Sequence, residues 1–472
     1  MFEELIERIQ YYKKLGLNPL ALATGCAVKV DLLRVVYPAI RNLKEKLNRS
    51  RFAIAPREDA LIISGDASEV HRRVYHLNSQ AKIDLTDIRT VSRGRKLYAV
   101  TVVQIYQRYA DTPEAFLDKI APVYLKLAEL NLPIYLGKGH SIITPFAEDE
   151  FILFDFLPES IGEGFTAVNN DTIHIVDPTQ EPGDFRQVSG ALSNALNDIF
   201  VLGVHRNLRV YPVINAPSEE LIERLWSNIE IYSKKYDVGF ERSSQLERGR
   251  LLMGATTIGY SDRAPPLFED RVEIGSKLVI TRPMGELAPI NLFLSCIVDE
   301  SIVKDIEELG IQLREVEKAK DEAVERISTP NIEAAQVIYK YLPYYREEFK
   351  PDEHISITTD VTGPGVLVVK ELAERSNTTI KLYDVPLLFP QISELATKLY
   401  IIPNATSGTN GPFIIVAPDA IAHDVVKDLK AKGLNASIIG EVIGKGDSEV
   451  IAPAKLKKYI ADHRILMEFK LV

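Results

Sequence analysis

Cysteine is scarce in this chain, with Cys26 and Cys296 the two examples among 472 residues. Two cysteines build no disulfide framework, and their wide separation excludes a paired-cysteine zinc site. The eight histidines are scattered, without an HExxH spacing. No run of 18 apolar residues occurs, so no membrane-spanning helix is expected. Lysine- and arginine-rich blocks are missing, and the net charge is −10. Such a surface repels a phosphate backbone, so nucleic acid is not an expected partner. GEVIGKGD at 440–447 is one residue short of a P-loop and has no Ser or Thr after its lysine. GPG at 363–365 lacks the third glycine of a dinucleotide fingerprint. The N-terminal stretch MFEELIERIQYYKK is charged and helical in period, without an apolar signal core, so a reducing cytoplasm is the expected location.

What remains is an ordinary globular composition, 46% apolar and 26% charged. The length implies at least two domains. Residues 1–15 have helical period, with Phe2, Leu5, Ile6 and Ile9 on one face. A glycine- and alanine-rich arm follows, leading into a helix over 31–48. FAIAPREDALIIS is expected to be strand around a charged turn, and strands are expected in KLYAVTVVQIYQ, EDEFILFDFL, DTIHIVD, LRVYPVINA and RGRLLMGATTIGYS, interleaved with helices in 112–130, 184–203 and 218–236. The second half predicts helices over 300–326 and 330–348. ISITTD, a helix from Gly365, KLYDVPLLF, PFIIVAP and ASIIGEVI follow. Strands covered by helices in this order indicate an α+β chain, with a border in the proline-rich SDRAPPLFED near 262–272.

Aspartates cluster beside turns and strand ends. Asp177 closes IHIVD, Asp360 closes ISITTD, and Asp198 follows Asn194 by four residues on one helix face. Aspartate also serves commonly as cap and turn former. Carboxylates so placed suit hard cations, and magnesium can bridge the oxygens of a triphosphate without a glycine-rich cradle.

The order of these segments resembles that of the selenophosphate synthetases, within the superfamily they share with aminoimidazole ribonucleotide synthetase. TGCAVK at 24–29 is similar to that family's N-terminal cysteine–lysine segment. PREDALIIS is similar to its paired-aspartate strand, IVDPTQEP to its aspartate-ended strand, and SNALNDIFVLG to its Asn-Ala-x-x-Asp helix. VEIGSKLVITRPMGE, TTDVTGPGVL, NATSGTNGPFIIVAP and IGEVI continue the series collinearly.

The resemblance implies a two-domain fold: an N-terminal domain forming a dimeric β-barrel-like core and a C-terminal α/β sandwich. The divisions would be an arm at 1–50, an ATP-binding domain at 51–265 carrying an extra subdomain at about 70–165, and a C-terminal domain at 266–472. It implies ATP, Mg2+ and K+ as cofactors, a small-molecule nucleophile such as selenide as acceptor, and a homodimer. Cys26 would handle the chalcogen, with Lys29 lowering its pKa and contacting phosphate. Asn194 and Thr359 would support the nucleotide, and Asp177, Asp198 and Asp360 the metal. A fourth metal carboxylate is either Asp59 or the pair Asp149 and Glu150. The family's Gly-Gly-His-Ser loop is replaced by GFERSS at 239–244. GKGHS, with Lys138, Gly139, His140 and Ser141, either supplies that loop from a new position or matches by coincidence. The alternatives are an enzyme of the superfamily with another acceptor, or a nucleotide-binding protein without catalysis.

Overall fold

A computed structural model describes residues 2–15, 17, 61–63, 134–136, 142–147, 150–154, 164–242, 247–345, 347–399 and 401–472. The chain is α+β, with three antiparallel or mixed sheets among these residues. Four short strands, β1 (Leu61–Ile63), β2 (Ile134–Leu136), β3 (Ile142–Ala147) and β4 (Glu150–Phe154), pair in sequence order. No helix among the described residues is long and apolar enough to cross a membrane.

The second sheet has the order β5-β8-β6-β7, from β5 (Phe165–Ile173), β6 (Arg206–Asn215), β7 (Gly239–Phe240) and β8 (Leu252–Ser261). Burial alternates along β6 and along most of β8, so one face packs on helices while the other is more open. The covering helices are Phe185–Phe200 and Glu219–Tyr236. The first begins at Asp184, whose carboxylate accepts from Arg186 N at 2.8 Å. The second begins at Ser218, whose hydroxyl accepts from Leu221 N at 3.3 Å, and closes at Asp237 in the left-handed region. It buries Leu221, Ile222, Leu225, Trp226, Ile229 and Tyr232, the three-and-four spacing of a core-facing stripe.

The third sheet has seven strands: β9 (Lys277–Ile280), β10 (Ile357–Asp360), β11 (Thr378–Leu382), β12 (Phe413–Ala417), β13 (Ser437–Lys445), β14 (Val450–Ala452) and β15 (Lys470–Leu471). Their order is β10-β12-β9-β13-β11-β14-β15. Every residue of β10 and β12 is buried, the signature of strands covered on both faces. Helix Leu287–Val298 packs against helix Leu313–Ile327 and buries Cys296, whose thiol burial pushes up to about 11. That value marks a core thiol rather than a nucleophile.

Four sequence expectations need correction. The helix expected over 300–326 is two helices, Ser301–Glu308 and Leu313–Ile327, because Gly310 stands at φ +82° and ends the first. The helix expected over 330–348 is Ile332–Lys340, stopping before Pro343. The strand expected to end at Asp177 ends at Ile173, where its pairing with β8 runs out at Met253. Beyond it, the Gln187 side-chain oxygen takes the N–H groups of Val176 and Asp177 at 2.8 and 3.1 Å, in place of a ladder partner. On the N-terminal helix Glu3–Lys14, Phe2 and Ile9 are buried as expected, but Ile6 is exposed and Tyr12 is fully buried instead.

Gly254 of β8 faces β5 so closely that an added Cβ would lie 2.1 Å from Asp171 O and 2.6 Å from Thr172 Cα. Gly254→Ala is expected to cost about 1–3 kcal/mol by overpacking. Urea unfolding of the purified variant checks this, and an unchanged midpoint would contradict the close approach.

Candidate functional site

The site is built where β5 lies under helix Phe185–Phe200. Asn169 and Asp171 are two apart on β5 and share one face, separated by about 6.8 Å along the strand. Asn194 and Asp198 are four apart on the helix, about 6 Å along its axis. The two repeats match, and they form two rungs. Asn169 Nδ2 donates to Asp198 Oδ2 at 2.8 Å, and Asn194 Nδ2 donates to Asp171 Oδ2 at 2.6 Å. Asp171 Oδ1 accepts from Thr172 N at 2.7 Å. All but Asp198 are buried.

A loop from the far end of the chain completes the arrangement. Asn194 Oδ1 accepts from Thr409 Oγ1 at 2.9 Å and from Asn410 N at 3.0 Å. The loop holds its shape by local bonds. Asn404 Oδ1 accepts from Thr406 Oγ1 at 2.6 Å, and Thr406 Oγ1 accepts from Val366 N at 2.9 Å. Asn410 sits at φ +44°, which its short polar side chain tolerates. Its Nδ2 donates to Ile327 O and Thr329 O at 2.7 and 2.8 Å, satisfying the end of helix Leu313–Ile327. Asn331 Nδ2 joins Asn197 Oδ1 at 2.7 Å to Gly411 O at 3.0 Å. A Cβ at Gly411 would fall 1.7 Å from Val361 O, so this loop lies directly against the segment following Asp360.

That segment is TTDVTGPG. Asp360 ends β10, and its Oδ2 accepts from Thr362 Oγ1 at 2.9 Å. Gly365 is required twice over: φ is +60°, and a Cβ would sit 2.3 Å from Thr406 Oγ1. Beneath the loop, Arg282 pairs with the fully buried Glu286 and donates to Asn410 O at 2.6 Å.

Asp360 is close enough to Asp171 to act on its ionisation. Burial pushes the Asp171 carboxyl up to about 7, the Asp360 carboxylate adds to the rise, and the bonds from Thr172 and Asn194 oppose it. The structure therefore brings together Asn194 and Asp360, both singled out in the sequence, with Asp171, which was not. A signal for Asp171 was present, since Asn169 and Asp171 repeat with strand period. Thr359 is buried in β10, paired with Ile414. Asp198 is engaged by Asn169, and Asp177 is engaged by Thr179 and Lys320. Cys26, Lys29, Asp59, Lys138, Gly139, His140, Ser141 and Asp149 lie outside the described residues, as does the side chain of Glu150.

Among the described residues, no three His, Cys, Asp or Glu side chains are grouped to hold a metal ion. Asp171 and Asp360 offer two carboxylates. That matches the usual need of magnesium, which takes one or two carboxylates and completes its shell with water and phosphate oxygens.

Residues 315–453 match the family model for AIR synthase related protein, C-terminal domain. The chain is 22% identical over 273 residues to a selenide, water dikinase of Methanocaldococcus jannaschii, covering 57% of this chain and 75% of that one. It is 23% identical over 329 residues to a probable selenide, water dikinase of Caenorhabditis elegans, covering 60% and 82%. Among solved structures, thiamine-monophosphate kinase from Stenotrophomonas maltophilia is similar at 15% identity and a TM-score of 0.46, covering 71% of this chain and 95% of that one. The hydrogenase maturation protein HypE in complex with ATP is similar at 17% and 0.41, covering 61% and 81%. In residues 315–453 the chain is thus similar to AIR synthase related proteins, and over more of its length it is similar to proteins named selenide, water dikinase.

The raised Asp171 carboxyl has a consequence for stability. Its ordinary value is 3.8, so between about pH 4 and pH 7 the unfolded chain has lost this proton while the folded chain retains it. Stability then falls as pH rises, at about 1.4 kcal/mol per unit, until both states are ionised. Asp171→Asn removes the dependence. Its unfolding free energy from urea titration is expected to gain on wild type between pH 4.5 and pH 8 in metal-free buffer, by about a few kcal/mol. Parallel pH profiles for the two proteins would rule this out.

Proposed function

We propose that this chain is an ATP-dependent phosphotransferase of the selenide, water dikinase type. The observation that carries the reading is the convergence of Asp360, Asp171 and Asn194 where loop 404–411 meets the TTDVTGPG turn. Its relatives that are named selenide, water dikinase supply the reaction class. Asp171 and Asp360 would hold Mg2+ brought in with the triphosphate. Bound there, the ion would offset phosphate charge and orient the transferring group. Asp198 and the further carboxylate of the sequence reading, Asp59 or the pair Asp149 and Glu150, would complete the set.

Asn194 acts through others. Its carboxamide fixes Asp171 on one side and the Thr409–Asn410 backbone on the other, so both halves of the site share one geometry. Cys26 would deliver the chalcogen, Lys29 would stabilise the transferring phosphoryl group, and Lys138, Gly139, His140 and Ser141 would contact phosphate. K+ would accompany Mg2+, and two copies would pair through the N-terminal domain. The proposed division is an arm to residue 50, a nucleotide-binding part to about 265 and a C-terminal domain beyond it. The reaction consumes ATP, selenide and water, and yields selenophosphate, AMP and phosphate.

Phosphorus NMR of the protein with ATP, Mg2+ and K+, run anaerobically with and without selenide, tests this. Selenide-dependent AMP and a selenophosphate resonance are expected, and Asp360→Asn should slow both by about 100-fold or more. Nucleotide binding without either product would reject selenide as the acceptor. In that case the remaining readings are a different acceptor or a binding protein.

A further inference from the structure

Helix Leu313–Ile327 carries many charges, yet one of them faces inward. Its buried residues are Val316, Ala319, Lys320, Ala323, Val324 and Ile327, a single stripe at helical spacing. Lys320 is the charged member of that stripe and is 3% exposed. Its Nζ lies 3.3 Å from Asp177 Oδ2, 3.2 Å from Thr179 Oγ1 and 2.7 Å from Asp321 Oδ1. The Phe293 ring lies 5.4 Å away on a further side. An ammonium has three protons to donate, and all three have acceptors here.

Asp177, 1% exposed, is equally committed. Its Oδ1 accepts from Thr179 N at 2.8 Å and Thr179 Oγ1 at 2.7 Å, and its Oδ2 faces the ammonium. A divalent ion at this carboxylate would have to displace Lys320 or sit beside a like charge in a buried setting. Neither fits the space already filled by Thr179 and the lysine.

We propose that Lys320 is a built-in counter-cation at Asp177. It does internally what a metal ion does at such a carboxylate, and it withdraws Asp177 from any metal set. The neutralised turn then serves a second purpose, as a seat for the N-terminal helix. Gln187 Nε2 donates to Asp177 O at 2.6 Å and to Tyr12 Oη at 2.7 Å. Tyr12 Oη donates to Gln180 O at 2.8 Å, and Arg8 Nη1 donates to Thr179 O at 2.8 Å. The turn at 177–181 thus binds helix Glu3–Lys14 on one side and helix Leu313–Ile327 on the other.

The inference rests on the proposed function only in taking a divalent cation to belong to the site. Paramagnetic resonance with Mn2+ and a non-hydrolysable ATP analogue, on the full chain, tests it. Asp177→Asn should leave Mn2+ affinity within about two-fold of wild type, while Asp360→Asn should weaken it by about ten-fold or more. Lys320→Met should expose Asp177 and add a Mn2+ site that binds without nucleotide. Lys320→Met with Asp177→Asn should lose that added site while staying folded, because the charged pair is removed together. A ten-fold loss of Mn2+ affinity in Asp177→Asn alone would overturn the proposal. If Lys320→Met does not fold, the Asp177→Asn comparison still decides. If wild type takes up no Mn2+ with nucleotide, the phosphotransferase reading fails, and an added site in Lys320→Met still supports the role of Lys320.

Discussion

The Asn194 carboxamide uses both its ends inside the protein, and the site depends on that. Its NH2 group meets a carboxylate from β5, while its oxygen meets a hydroxyl and a backbone N–H from loop 404–411. All of these groups are withdrawn from water. If the carboxamide were absent, each would lose a partner at a cost of about 1–3 kcal/mol. The same geometry is hard to reach with another residue. A carboxylate would repel Asp171, a leucine would satisfy nothing, and a glutamine would place its amide one bond too far along. Asn410 and Asn331 extend the pattern to helix Leu313–Ile327 and back to Asn197. Asn169 Oδ1 and Asn197 Nδ2 are buried without a hydrogen-bond partner among the described residues, but the bonds that do form leave the network few alternative packings. It gives the early and late parts of the chain one relative position at this point.

Against that rigidity stands a local electrostatic cost. Burial raises the pKa of the Asp171 carboxyl, and the Asp360 carboxylate adds to the rise. For stability alone, an amide at either position would serve better. Retaining two acids where one resists ionisation is the arrangement expected of a site whose charge is completed by something brought from outside. The Lys320–Asp177 pair shows the other solution to the same problem. There the compensating charge is covalently part of the chain, and the carboxylate is closed. The two sites treat a buried aspartate in opposite ways, and the difference lies in whether a partner cation is built in.

Much of the architecture was legible because it follows short periods. Alternation along β6 and the three-and-four stripe of Glu219–Tyr236 depend on neighbours in sequence, and both appear where they were expected. Asn194 and Asp198 were readable as one helix face for the same reason. Asp177 was misplaced because IHIVD alternates like a strand, but a strand also needs a partner. The partner β8 begins opposite Ile173, a fact stored some 80 residues away in sequence. Asp171 was missed although it sits in the strand proper. The alternation of Asn169 with Asp171 marks a polar face, but only the helix lying over it shows that the face is buried. Thr409 and Asn410 lay inside a recognised segment, but their contact with Asn194 spans more than 200 residues and leaves no local trace.

Lys320 illustrates a different limit. A lysine on a helix as charged as LREVEKAKDEAVERI ordinarily belongs to the solvated face, with its stem lying along apolar surface and its head in water. The stripe Val316–Ala319–Lys320–Ala323 contradicts that habit, because Lys320 falls among the small and apolar residues rather than opposite them. Alanines on either side leave room for a long side chain to run inward, and its length carries the ammonium to the turn at Asp177 and Thr179. What the pattern cannot supply is the identity of the acceptor. That depends on the way Gln187 folds the chain after β5, turning Asp177 toward the helix instead of along the sheet. The same departure from the sheet therefore both removes Asp177 from the strand end and delivers it to the lysine.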